Sequence, residues 1–264
     1  MLVGLTVGLL LIGMIGVVNA APVDLSSWTA ESYPSVTGFG AGNWVVNSEG
    51  TEVYQSVNGQ PTLFYSDFNS FGTLTSGVIN VSGGDDDFIG FALGFQPNDT
   101  TNATASYLLV DWKRGTQTYD FGSPSNTPGS TASAGLAVSR VTGIPTADEF
   151  WGHTDFTSDT SGGLEEIARA TNLGSTGWAA GTDYEFTFDF GPANLDVYVD
   201  NILELSITGS FTDGRLAFYN FSQAGVTYSA FDLDDGNYPV PEPATFVLLG
   251  SGLVGLAFYR RKRK

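Results

Sequence analysis

An all-β sandwich is the fold class this sequence predicts, and three observations carry that expectation. Only 14% of the 264 residues are charged, whereas aromatics reach 13% and glycine numbers 34. Helical surfaces are normally covered with Glu and Lys, so this balance favours pleated, half-buried strands. Short runs of alternating apolar and polar residues, broken by Gly, Asn, Asp and Pro, recur along the chain. No helical periodicity persists for long.

Taken in order, residues 83–96 and 106–112 read as one pair of strands. Residues 122–135, rich in Ser, Thr, Pro and Gly, read as a long surface loop. Leu164 to Ala170 is the one stretch with weak helical character. Tyr184 to Phe190 alternates aromatic and polar side chains, which places its aromatics on one face. Leu195 to Asp200 and Ile202 to Ile207 then form a hairpin. Its turn, Asp200-Asn201, uses residue types that tolerate positive φ. Arg215 to Phe221 and Val226 to Leu233 read as a further strand pair. No internal repeat or second domain boundary is visible, so residues 21–239 form one domain large enough for a real core.

The two ends read differently. Leu2 to Val18 is an unbroken apolar run ending in Val18-Asn19-Ala20-Ala21. Small residues there suit cleavage between Ala20 and Ala21, so residues 1–20 are expected to be the helix of a secretory signal peptide. At the other end, Val240-Pro241-Glu242-Pro243 precedes a single hydrophobic helix at 245–259 and then five basic residues. Fifteen residues fall short of the ~20 of a comfortable span, and the basic cluster stays on the cytoplasmic side. Physically this is a translocation stop. The order Pro-Glu-Pro, apolar helix, basic cluster resembles the PEP-CTERM sorting signal. That resemblance implies a Gram-negative host making extracellular polysaccharide or biofilm. It also implies an exosortase-type membrane protease as partner, and a body transiently anchored to the inner membrane before release or attachment at the cell surface.

Composition excludes several functions. Between Ala21 and Tyr238 lie 27 acidic and five basic side chains, a surface that repels nucleic acid and attracts cations. With no cysteine, disulfides, thiolate metal sites and catalytic thiols are out.

Three stretches carry a second resemblance. They are Asp85 to Gln96 followed by Tyr107 to Arg114; Phe150-Trp151-Gly152-His153-Thr154 with Gly177-Trp178; and Gly214 to Gln223 leading into Val226 to Leu233. In this order and spacing they are similar to the thrombospondin C-terminal domain, across roughly Asp67 to Asp234. The resemblance implies a calcium-binding, lectin-like jelly roll of the concanavalin A type. The epidermal-growth-factor modules and Asp-rich calcium repeats that precede the domain in animal proteins do not occur in this sequence.

Asp85, Asp86 and Asp87 are three adjacent carboxylates at a strand mouth, after Gly83-Gly84. They repel one another unless solvated or neutralised by a cation, and hard oxygen ligands on a loop suit Ca²⁺. Asp111 joins them if the two strands form a hairpin. A solvated acidic loop is the alternative. His153, the only histidine, is expected to be a hydrogen-bonded loop residue, since no Gly-x-Ser-x-Gly elbow accompanies it. The acidic pairs Asp148-Glu149 and Glu165-Glu166 lack the strand spacing of jelly-roll glucanases, which argues against a polysaccharide hydrolase. Trp112, Trp151 and Trp178 are candidates for stacking on sugar rings, although aromatics on strands are mostly core. The expected function is non-enzymatic: an exported adhesive module binding extracellular polysaccharide or a surface protein. A structural biofilm or sheath protein is the competing class.

Overall fold

The structure is a computed structural model that describes residues 21–125, 127–156 and 160–234. The expected signal-peptide helix, the hydrophobic helix 245–259 and the Val240 to Pro243 signal lie outside the described residues. Among the described residues, no helix is long and apolar enough to cross a membrane.

The described strands form a jelly-roll sandwich of two large antiparallel sheets. The first runs β15 (Ile202–Thr208), β14 (Asn194–Val199), β13 (Asp183–Phe190), β6 (Leu74–Val81), β17 (Val226–Asp234), β4 (Glu52–Gln55), β3 (Trp44–Val46). Here β1 (Ala21–Pro22) pairs with the end of β17, Ala21 opposite Leu233. The second runs β12 (Gly162–Arg169), β11 (Gly135–Gly143), β8 (Ser106–Lys113), β7 (Phe88–Phe95), β16 (Arg215–Phe221), β5 (Thr62–Asn69), β2 (Thr29–Ser32). A short hairpin, β9 (Gln117–Tyr119) with β10 (Ser130–Ala132), and one helical turn and a half, α1 (Ala147–Gly152), lie apart from both.

Between the sheets sits an aromatic core. From the first sheet come Phe186, Phe188, Val197, Tyr228 and Phe231; from the second come Phe91, Val110, Trp112 and Phe218. Phe218 is its hub, with ring centroids 4.4 Å from Phe231, 4.6 Å from Tyr228 and 4.7 Å from Trp28. The alternation that predicts β13 is realised as drawn, with Phe186, Phe188 and Phe190 buried together. The Asp200-Asn201 turn has both φ values positive, at 49° and 63°, which joins β14 to β15 tightly.

The second sheet is buried on its other face too. Tyr107, Leu109, Tyr219 and Phe221 point away from the first sheet into a second cluster formed with Tyr33, Phe121, Phe150 and Trp151. That covering layer comes from α1, β9, β10 and the chain around Tyr33 to Phe39. Every residue of β7 is therefore buried, which is why Phe-Ile-Gly-Phe-Ala-Leu-Gly-Phe shows no polar alternation.

Two expectations are corrected. Leu164 to Ala170 is not helical: its first six residues, Leu164 to Arg169, belong to the edge strand β12, which pairs along β11 from Gly143 to Ala137. Long-range pairing has overridden local propensity there. Arg215 to Phe221 and Val226 to Leu233 are strands, but they do not pair with each other. Ser222 (φ 54°) and Gly225 (φ 76°) carry the chain from one sheet to the other, so Phe218 and Tyr228 stack across the core instead of lying side by side.

Truncating the hub tests this packing. Phe218→Ala should cost about 3–5 kcal/mol in denaturant unfolding. Val45→Ala, at a site 54% exposed, should stay within about 0.5 kcal/mol.

Candidate functional site

The three adjacent aspartates lie in the loop between β6 and β7, and their nearest carboxylate oxygens lie within 4.8 Å of one another. Asp85 is exposed, Asp86 half-buried and Asp87 buried. The loop is held rather than loose. The Asp86 carbonyl accepts from the backbone N–H groups of Arg114 and Gly115 at 3.2 and 3.1 Å. Asp87 N–H donates to Gln223 Oε1 at 3.1 Å, and Asn58 Nδ2 donates to Asp85 Oδ2 at 2.6 Å.

An internal cation lies among these carboxylates. Lys113, at the end of β8, has no exposed side-chain surface, and its Nζ donates to Asp87 Oδ1 at 2.6 Å and to the Asp86 carbonyl at 2.7 Å. Burial pushes the Asp87 carboxyl up, and the Lys113 ammonium pulls it back. The same ammonium sits 4.7 Å over the Trp151 ring and 5.8 Å over Phe88, a favourable placement for a desolvated cation. Asp85 and the outer part of Asp86 remain open to solvent.

Asp111 does not join the three. It stands opposite Gly90 of β7, and its Oδ2 lies 3.0 Å from His153 Nε2. His153 Nδ1 lies 3.1 Å from Glu166 Oε2, and Glu166 in turn takes two bonds from Arg169, at 2.9 and 2.8 Å. With both ring nitrogens facing carboxylates, the imidazolium donates to each. Burial alone would push the imidazole down, but Asp111 and Glu166 outweigh it and hold His153 up at about 9. Burial also works against Glu166, yet its bonds from His153 and Arg169 bring it down to about 2. His153 is thus the hydrogen-bonded residue expected, at the C-cap of α1 in a left-handed conformation, and it ties the covering layer to the second sheet.

The tryptophans serve the interior. Trp112, Trp151 and Trp178 are at most 2% exposed. Trp112 donates to the Thr176 carbonyl at 2.6 Å and packs on Tyr184. Trp151 donates to the Gln117 carbonyl at 3.1 Å, with the Lys113 ammonium against its ring. Trp178 donates to the Asp87 carbonyl at 3.0 Å, with Arg114 over its ring. Gly177 allows this, because a Cβ there would collide with the Arg114 carbonyl. Trp112 and Trp178 present no ring face to a sugar, which corrects the stacking expectation for them, whereas Trp151 lines the cleft beside Asp85 and Asp87 with its ring already against the Lys113 ammonium. The acidic pair Asp148-Glu149 is likewise engaged: Asp148 accepts from Phe121 N–H and Thr127, and Glu149 closes the capping box of α1 with Thr146.

Sequence reasoning missed what surrounds the aspartates. A cleft of about 180 Å³ opens beside Asp85 and Asp87, lined also by Phe39, Asn58, Gln117 and Tyr119. Tyr119 is 39% exposed, and Phe39 beside it is half-buried. With Phe121, Trp151 and Ser222, which also line the cleft, these residues come from six separate segments, so no local spacing announces them.

A profile of the thrombospondin C-terminal region matches residues 40–234. The chain belongs to that family. Thrombospondin-3b of Danio rerio is 28% identical over 199 residues, covering 71% of this chain and 20% of the relative. Thrombospondin-2 of Homo sapiens is 27% identical over 197 residues, covering 71% and 16%. The thrombospondin-type body therefore spans a fifth or less of the curated relatives it matches. Residues 239–264 match the PEP-CTERM protein-sorting motif. Among solved structures, the body is similar to the exoplasmic/lumenal domain of VIP36 in a Ca²⁺/Man-bound form (TM-score 0.46, 11% identity, 81% and 85% coverage). It is also similar to a carbohydrate-binding module, CBM66 of Bacillus subtilis (TM-score 0.43, 12% identity, 72% and 88% coverage).

The His153 network sets a pH signature. A folded-state value of about 9 against an ordinary 6.5 gives stability that is complete below about 6.5 and lost as pH rises through about 9. Glu166 acts oppositely: its contribution is present above its ordinary value of 4.5 and lost as pH falls through about 2. Unfolding free energy should thus fall between pH 6.5 and 9.5 in the parent, and His153→Gln should flatten that slope. An unchanged slope in the variant would refute the buried imidazolium.

Proposed function

We propose that the thrombospondin-type body is a non-enzymatic, calcium-dependent binding module. It is exported by the N-terminal signal peptide, cleaved between Ala20 and Ala21, and sorted by Pro241-Glu242-Pro243 and the hydrophobic helix at 245–259. In this reading it attaches to extracellular polysaccharide or a surface partner on a Gram-negative cell. The observation that carries the proposal is the gathering of Asp85, Asp86 and Asp87 at a solvent-facing strand mouth beside a cleft.

The residues fit a hard cation. Their donors are carboxylate oxygens, which suit calcium; Lys113 pairs closely with the buried Asp87 at 2.6 Å and more loosely with Asp86 Oδ1 at 3.4 Å, so Asp85 and the outer oxygen of Asp86 are the donors left for an ion. A bound calcium would supply positive charge at the cleft mouth, a Lewis-acidic contact for ligand hydroxyls or carboxylates. Asn58 orients Asp85 through its amide, and Tyr119 offers the cleft an apolar ring edge.

The site's position supports display. β17 starts at Val226, beside Val81 and the Asp85 loop, and ends at Asp234, beside Leu74 and β1. Asp234, the last described residue, thus lies at the end of the sandwich remote from the aspartates.

Calcium dependence is read by melting residues 21–239 in EDTA and in millimolar Ca²⁺. Saturation at about 100 times Kd adds roughly 2.7 kcal/mol, a shift on the order of 5–10 °C for this size. Asp85→Asn with Asp86→Asn should abolish it. Asp87 is left intact because its loss would strand the buried Lys113. No shift in the parent would sink the calcium reading and favour a structural sheath protein whose own Lys113 stabilises the loop.

Sorting has a separate test. Replacing Pro241, Glu242 and Pro243 with Ala should leave unprocessed chain in the membrane fraction on a blot, whereas unchanged processing would overturn the sorting role.

A further inference from the structure

A cavity of about 450 Å³ lies away from the aspartates, on the outside of the covering layer. That falls within the range of roughly 300–1,000 Å³ typical of small-ligand sites. Three segments wall it: the chain at Tyr33 to Val36, the Gln60-Pro61 turn, and Ile144 to Ala147 leading into α1. The Ser123-Pro124 loop adds a rim.

Its lining is chemically selective. In a body with 27 acidic side chains, none of the lining residues is Asp, Glu, Lys, Arg or His. Apolar patches from Pro34, Pro61, Ile144 and Pro145 alternate with hydroxyls from Ser35 and Ser123. Beneath them Gln60 is 2% exposed, and its Nε2 has no hydrogen-bond partner. A buried amide without a partner is costly, on the order of 1–3 kcal/mol, and native proteins rarely leave one unexplained. The backbone on either side is held: Gln60 N–H donates to the Gly40 carbonyl at 2.8 Å, and the Pro61 carbonyl accepts from Tyr33 N–H at 2.9 Å. The turn is therefore held in place, with the unpartnered amide on a residue that lines the cavity.

We infer that this cavity binds a neutral, hydroxyl-rich ring ligand, namely an uncharged hexopyranose unit of a saccharide. Such a ring has apolar C–H faces for the proline and isoleucine walls. Its hydroxyl oxygens accept from Gln60 Nε2, and its hydroxyls exchange bonds with Ser35 and Ser123. An anionic sugar would enter an uncharged, partly desolvated cavity within a strongly acidic body with no cation to receive it, so uronic acids are rejected. The inference narrows the polysaccharide association proposed above to neutral sugars, and it does not involve the aspartates.

The test uses the full-length chain in a detergent without a sugar headgroup, in EDTA, so that failure of the calcium reading does not affect it. Saturation-transfer NMR is recorded with cello-, manno- and galacto-tetraose and with tetragalacturonate as the acidic counterpart. At least one neutral tetraose should show transfer and tetragalacturonate none. Ser35→Trp, at an exposed mouth residue, should abolish the signal without changing the melting temperature. Gln60→Leu should weaken binding at least tenfold. Absence of transfer from every neutral sugar, equal binding of the uronate, or binding that survives Ser35→Trp would each overturn the assignment.

Discussion

Both faces of the second sheet are buried, and the rest of the structure follows from how the second of those faces is closed. An antiparallel sandwich ordinarily leaves its outer faces to water, with polar residues on alternate positions. Here β7 and β8 carry apolar side chains on both faces, so an outer layer must cover Tyr107, Leu109, Tyr219 and Phe221. That layer consists of a six-residue helix, a three-residue hairpin and irregular chain, none of which is stable alone. Aromatic packing supplies its area: Trp151 and Phe121 both meet Phe221, at 5.6 and 5.1 Å.

Two buried cations then fix where the layer sits. Lys113 rises from β8 beneath Trp151, and His153 at the end of α1 reaches down to Asp111 of the same strand. Burying ionised groups gains little net energy, because desolvation offsets most of the attraction. Losing one partner is another matter, since it leaves a buried charge uncompensated. The pairs therefore act less as glue than as registration: they make any other seating of the layer unfavourable. The aspartate loop inherits this order. Its carbonyl at Asp86 and its carboxylate at Asp87 are held by the ammonium that also anchors the outer layer, so the exposed Asp85 and Asp86 stand on a rigid base.

Much of this was legible where the signal is local. Alternation placed β13, the Asp200-Asn201 turn placed the hairpin, and the adjacency of Asp85 to Asp87 placed the acidic loop, because each depends on residues near in sequence. Leu164 to Ala170 misled for the opposite reason. Its isolated preference is weak, and its state is decided by β11, more than 20 residues earlier. The Thr146-x-x-Glu149 capping box did carry a local signal for α1, but six residues are too few to show a helical period. The thrombospondin-type resemblance supplied the jelly roll, which no residue pattern alone would have singled out from other sandwiches.

The site was less legible than the fold, and charge shows why. From sequence, Asp111 and the three loop aspartates are simply four acids on neighbouring strands, and His153 is a lone histidine 42 residues further on. What separates their roles is which cation each one meets. Along β8, Asp111 and Lys113 point to the same outer face two residues apart. Asp111 lies under the end of α1 and takes His153; Lys113 lies under Trp151 and takes Asp87. Two acid–base pairs thus form side by side, one on a residue the sequence marks as a ligand and one on a residue it does not. The tryptophans follow the same logic. Trp151 and Trp178 look like ligand platforms because large aromatics near acids often are, yet each ring already carries a cation of the protein itself, Lys113 or Arg114. The protein's own ammonium and guanidinium thus occupy the ring faces that a ligand would otherwise meet, so neither tryptophan is left as a free platform.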